Sequence, residues 1–149
     1  MCLLQIEEGD GQMSEVLASF SVPLVVNKYK VKYKPFYMSL NNYTQLAKCP
    51  PARNQVKKNY HNLVKPVIEG LGKIDGPVKI TYEIFAKDKR VFDIANVGSI
   101  LDKFLSDALV DEGVLDDDNI YIIPRVEYIF AGIDRKNPRA EVTIIRDAI

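Results

Sequence analysis

Val78-Lys79-Ile80-Thr81-Tyr82-Glu83-Ile84-Phe85-Ala86 sets Val78, Ile80, Tyr82 and Ile84 against Lys79, Thr81, Glu83 and Phe85. That period of two marks a half-buried strand. Lys87-Asp88-Lys89-Arg90 closes it, and the period then changes. From about Ile94 to Leu109, residues Val97, Ile100, Leu101, Phe104, Leu105 and Ala108 fall on one face of a 3.6-residue helix. Gly113 stops the helix, with Asp116-Asp117-Asp118-Asn119 beyond it. Two further strands are expected, Ile120 to Phe130 and Arg139 to Ile145, joined by a polar turn from Gly132 to Pro138.

Upstream, Asn54 onward reads as a second helix, with Val56, Tyr60, Leu63, Val64, Val67, Ile68 and Leu71 on one stripe and Pro66 as an internal kink. Its opposite face carries Lys58, His61, Asn62 and Lys65, a solvated stripe suited to a phosphate backbone. Met38 to Pro51 reads as loop, broken by Asn41-Asn42 and Pro50-Pro51. Phe20 to Tyr37 is β-like, and within it Lys28, Lys30, Lys32 and Lys34 alternate with Tyr29, Val31 and Tyr33, placing four ammonium groups on one face. Residues 1–19 read as a weakly ordered leader. The expected architecture is therefore α+β: one domain over residues 20–149, a small mixed β-sheet packed by two main helices.

Composition narrows the chemistry. The chain has 149 residues, 47% hydrophobic and 27% charged, with 20 basic against 20 acidic side chains. A chain of this length buries about 70% of its unfolded surface and folds without a disulfide or zinc staple. No stretch approaches the ~20 apolar residues of a membrane span, and Met1 to Gly9 lacks the basic start of a secretory signal. Two cysteines, Cys2 and Cys49, and one histidine, His61, exclude a Cys/His zinc centre. Catalysis, if present, rests on carboxylates.

The zero net charge averages two opposed blocks. Asn27 to Lys73 holds ten basic residues and one acid, net +9. Asp93 to Asp118 holds eight acids and one lysine, net −7. This division fits one region that grips a polyanion and another that holds divalent cations. The alternative is lysines that blunt a sheet edge and carboxylates that are merely solvated.

Hard Mg²⁺ takes oxygen ligands and keeps positions open for water and phosphate, so metal-assisted phosphodiester cleavage needs carboxylates from separate elements. Asp93 precedes the second of these helices and Asp116 to Asp118 follow it, across a helix of about 24 Å. With Asn96 at 0° and about 100° per residue, Lys103 and Asp107 lie within about 20° of it, whereas Asp102 falls near 240°. Asn96, Lys103 and Asp107 thus share a side. Asp102 is expected to be a solvated charge, Asp93 an N-cap or a ligand, and Asp111 and Glu112 a solvated helix end.

Asp93-x-x-Asn96, Lys103-x-x-x-Asp107-Ala108-Leu109, Gly113-Val114-Leu115 and the acidic run ending Asp117-Asp118 resemble the core signature of RusA-type Holliday junction resolvases, many encoded by phages and prophages. The resemblance extends more loosely from about Phe20 to Ile145. Two departures stand out. Ala95 occupies the place of the family's second aspartate, and the Asn96 to Lys103 interval is seven residues rather than three. The resemblance implies a RusA-like mixed α/β fold and a Mg²⁺-dependent homodimeric endonuclease that makes paired cuts in four-way DNA junctions in a bacterial or phage-infected cytoplasm. It implies Asp93, Asp117 and Asp118 as metal ligands, Lys103 as the catalytic cation on the scissile phosphate, and Asn96 and Asp107 in support. Lys28, Lys30, Lys32, Lys34, Lys57, Lys58 and Lys65 are then the expected DNA-backbone contacts. Ala95 keeps a second expectation open, a non-catalytic binder of branched nucleic acid; a third is a plain interaction domain.

Overall fold

The alternation of Val78–Ala86 builds the centre of the molecule. The computed structural model describes residues 5–8, 12–27 and 35–147. In chain order these form β1 (Gln5–Glu8), β2 (Gln12–Pro23), β3 (Val25–Asn27), β4 (Pro35–Tyr37), α1 (Leu40–Leu46), α2 (Pro50–Ile68), β5 (Val78–Ala86), α3 (Ile94–Asp111), β6 (Arg125–Ile133) and β7 (Arg139–Arg146). One five-stranded sheet runs in the order β1-β2-β7-β5-β6, and β3 pairs with β4 in a separate ribbon. The architecture is α+β, as the periodicities require.

β7 pairs antiparallel with both β2 and β5, whereas β6 lies parallel to β5 and is reached through the α3 crossover. Register aligns one apolar face across the sheet: Phe20 opposite Val142 and Val142 opposite Tyr82, with Ile80 opposite Ile144. Ile80, Tyr82, Ile84, Val142 and Ile144 are fully buried under the helices. The other face carries Ser21, Glu141 and Glu83, and Ser21 Oγ donates to Glu141 at 2.6 Å.

α2 buries Ala52, Val56, Tyr60, Val64 and Ile68, a stripe repeating every fourth residue. Leu63 and Val67, expected on that stripe, are exposed. Tyr60 donates its hydroxyl to the Pro23 carbonyl at 3.2 Å, and Phe104 of α3 packs edge-on against both Tyr60 and Tyr43. Leu101, Leu105 and Leu109 of α3 are fully buried; truncating such a leucine to alanine costs about 2–5 kcal/mol. Among the described residues no helix is long and apolar enough to cross a membrane.

Three local expectations change. Val16, Leu17 and Ala18 are buried and β2 pairs with β7 from Val16 onward, so the folded domain begins before residue 20. Within the expected loop, Leu40–Leu46 is a helix capped by Ser39, whose Oγ accepts from the Asn42 N–H at 3.1 Å. Pro50 and Pro51 open α2 instead of breaking the chain, because proline's missing N–H costs nothing in a first helical turn.

Candidate active site

α3 presents a polar flank beside its core stripe, and that flank is the framework of the site. Asp93 occupies its N-cap position, exposed, with no capping bond from its side chain; only its carbonyl takes part, accepting from the Asn96 N–H at 3.0 Å. The carboxylate is thus not engaged in capping. Asn96 is half-buried and Lys103 exposed, and among the described residues Lys103 forms no ion pair.

Asp102 departs from expectation. Its Oδ1 accepts from the buried Tyr82 hydroxyl at 2.7 Å and from Ser106 Oγ at 3.1 Å. Burial pushes its carboxyl above the usual aspartate range, the Tyr82 and Ser106 bonds oppose that, and the nearby charges of Asp118 and Asp107 add to it. The solvated reading fails because α3 is covered on two sides. Apolar residues trace the α2 side, but the sheet covers a further arc, through Leu105, Ser106 and Gly98, and Asp102 borders that arc. Gly98 makes the approach possible: a Cβ there would lie 2.5 Å from the Tyr128 ring. Tyr128 packs beside Tyr82, and its hydroxyl is pushed up to about 12, chiefly by burial and then by Asp102.

The chain after α3 turns back through Gly113, whose φ of 72° suits glycine. Val114 and Leu115 both donate to the Leu109 carbonyl, at 2.9 and 3.2 Å, and are buried. That anchorage fixes the acidic run. Asp116 pairs with Lys73 at 3.1 Å. Asp117 braces its own loop: Oδ1 accepts from the Asp118 N–H at 2.7 Å and Oδ2 from Asn119 Nδ2 at 2.9 Å, which holds its carboxyl below the usual range. Asp118 is exposed, and its charge is a minor cause of the upward push on the Asp102 carboxyl. It also lines a cleft of ≈ 600 Å³ with Asp107, Asp111 and Phe104.

The second wall of that cleft is α2, with Lys57, Lys58, His61, Asn62 and Lys65. Part of this basic stripe is already neutralised. Lys57 pairs with Asp107 at 3.2 Å, and His61 sits 2.7 Å from Glu112 Oε1 and 3.6 Å from Asp111. Lys65 approaches Glu112 at 3.9 Å. His61 is therefore held across the cleft, and Glu112 is no idle helix end: it ties α3 to α2, whereas Asp111 is solvated as expected and reaches His61 only at 3.6 Å. Lys58 is exposed and forms no ion pair among the described residues. Lys28, Lys30, Lys32 and Lys34 lie outside the described residues.

The sequence-predicted ligands do not gather in one place. Asp93 and Asp102 are nine positions apart on α3, about 13 Å along the axis, and Asp118 of the acidic loop lines the cleft with Asp107 and Asp111. Among the described residues no group of three or more His, Cys, Asp or Glu side chains converges to hold an ion. The carboxylates without a cation, Asp102 and Asp118, nonetheless offer the hard oxygens that Mg²⁺ takes. Asp102 keeps Oδ2 open while Oδ1 is occupied, and no cation pairs with Asp102 or Asp118 among the described residues. Either could give a Mg²⁺ one carboxylate, with water and phosphate completing its shell. Asp102 is the residue that sequence reasoning missed; its signal was the pairing with Ser106, four residues on, and a tyrosine at the centre of β5. The chain matches no protein-family model, and no curated protein matches it.

Proposed function

We propose that this protein is a Mg²⁺-dependent endonuclease that makes paired cuts in four-way DNA junctions as a homodimer. One observation carries the reading: Asp118, a carboxylate with no ion pair among the described residues, lines the same cleft as Lys58 and Lys65, so a hard oxygen donor and phosphate-binding ammoniums border one space. Phosphodiester cleavage requires that combination.

Mg²⁺, when bound, supplies Lewis acidity to the phosphodiester and lowers the pKa of water. The protein's part is positioning. Tyr82 and Ser106 fix Asp102 through Oδ1, leaving Oδ2 directed by two bonds rather than by rotamer preference. Asp117 rigidifies the turn that carries Asp118. Lys103, on the Asn96 and Asp107 side of α3, is the cation proposed to offset charge developing on the phosphate, while Lys58 and Lys65 of the cleft hold the backbone. Of the three ligands expected from the resemblance we carry Asp118 forward, and we add Asp102 as a candidate carboxylate, since Ala95 offers none. Asp93, with an unengaged carboxylate one helix segment away, is the assignment that mutation decides.

The experiment is incubation of purified protein with a labelled four-way junction and a matched linear duplex, with Mg²⁺ and with chelator. Symmetric nicks confined to the junction and lost with chelator are expected. Tight junction binding without any cut favours the non-catalytic binder, which the dispersed carboxylates and Ala95 also support. Equal affinity for both DNAs sinks the junction assignment.

A further inference from the structure

The outer strand of the sheet on the α3 side is open. β6 pairs with β5 alone, on one side, and ends the strand order, so along its other side backbone N–H and C=O groups lack a ladder partner among the described residues. Proteins guard such edges with lysine, proline or charge. β6 does so only at its start: Arg125, which pairs with Asp147, and Glu127 are its charged residues, and Tyr128 to Ile133 carries none. Val126, Ile129, Phe130 and Ile133 are exposed, Phe130 by 55%. Phe130 meets Phe92 edge to face at 6.2 Å, and Val91 beside it is 100% exposed. An apolar stripe thus runs along an unpaired strand edge.

We infer that this edge is the interface between two copies of the chain, joined antiparallel across β6; the inference rests on the proposed paired cleavage, which needs two sites related by a twofold axis. A twofold contact uses the same patch on both copies, so the patch must complement itself. β6 does so. An antiparallel register centred on Tyr128 sets Val126 of each copy across from Phe130 of the other and Glu127 across from Ile129. No charge then faces its own copy, and the backbone groups of both edges are satisfied. The extra residue at the irregularity between Phe130 and Gly132 limits pairing to the first part of the strand, leaving Ile133 and Phe92 to pack alongside.

Sedimentation velocity of the full chain and of Phe130→Glu tests this, with far-UV circular dichroism as the check on folding. The wild type is expected to be a dimer and the variant a folded monomer. A second variant keeps the test decisive if Phe130→Glu does not fold: Val126→Cys/Phe130→Cys, with Cys2 and Cys49 replaced by serine, is expected to give a covalent dimer on mild oxidation. A monomeric wild type, a dimer that survives Phe130→Glu, or no cross-link overturns the interface. Junction nicking is read separately. A β6 dimer that does not cut leaves the interface standing and removes the nuclease; a monomer that cuts does the reverse.

Discussion

The two flanks of α3 handle the same kind of charge in opposite ways. Toward α2, Asp107, Asp111 and Glu112 each have a cation or imidazole within 4 Å. Toward the sheet, Asp102 is half-buried with hydroxyl donors only, and Asp118, though it lines the α2 cleft, is exposed and has no ion pair among the described residues. The first arrangement fastens two helices. The second leaves two carboxylates without a cation among the described residues, the kind of group that functional sites use. A block of acids in sequence is therefore not one functional unit; what faces each carboxylate divides the block.

The largest effect that can break this comparison is at Asp118. Asp118→Asn is expected to lower junction cleavage by about 10²-fold or more, with junction affinity retained, measured by single-turnover nicking beside gel-shift titration. The matching change on the other flank, Asp111→Asn, is expected to leave cleavage within a few-fold. Equal losses would erase the distinction between the flanks.

Asp102→Asn sharpens it through stability and function together. Loss of a carboxylate beside the cation is expected to weaken Mn²⁺ binding, read by water-proton relaxation without DNA, by about 10–100-fold. Stability should move the other way. The folded-state pKa of Asp102 is raised by burial, so its favourable contribution is complete below the ordinary aspartate pKa and is lost as pH rises through the raised value. At pH 7 the charged form is a burden, and Asp102→Asn is expected to raise the melting temperature, with the gain shrinking as pH falls toward the ordinary aspartate range. A variant that is destabilised at pH 7 would make Asp102 a structural anchor.

The smallest effects lie among the lysines of α2. Lys57 is held by Asp107, whereas Lys58 forms no ion pair among the described residues, so Lys58→Ala is expected to cost more junction affinity than Lys57→Ala. It should also flatten the log affinity against log salt slope by about 0.9, the share of one phosphate contact. Lys57→Ala should change stability by less than about 1 kcal/mol, as exposed ion pairs do.

The elements with strong periods were legible in the sequence. β5 occupies the expected Val78–Ala86, and α3 begins at the expected Ile94. What failed had weaker local signals. α1 is short and depends on a serine cap more than on an apolar face. The expected strand from Ile120 starts instead at Arg125, because Asn119 draws the next residues into a turn: its side chain accepts from the Tyr121 N–H and its carbonyl from Ile122 and Ile123. At the site, Asp93, Lys103, Asp107 and the acidic run were found by spacing, but their separation into clamp and open flank was not. That separation depends on Tyr82, Gly98 and Tyr128, which meet α3 only after the sheet has formed.

The central claim is that Asp102 and Asp118, the carboxylates without a cation, rather than the paired acids of the α2 clamp, perform Mg²⁺-dependent cutting of a four-way junction. The most direct test is one series of junction nicking rates at saturating Mg²⁺ for the wild type and for Asp93→Asn, Asp102→Asn, Asp111→Asn and Asp118→Asn. The account predicts cutting by the wild type and by Asp111→Asn, with loss in Asp118→Asn and a marked decrease in Asp102→Asn. Nicking by Asp118→Asn at the wild-type rate would contradict it.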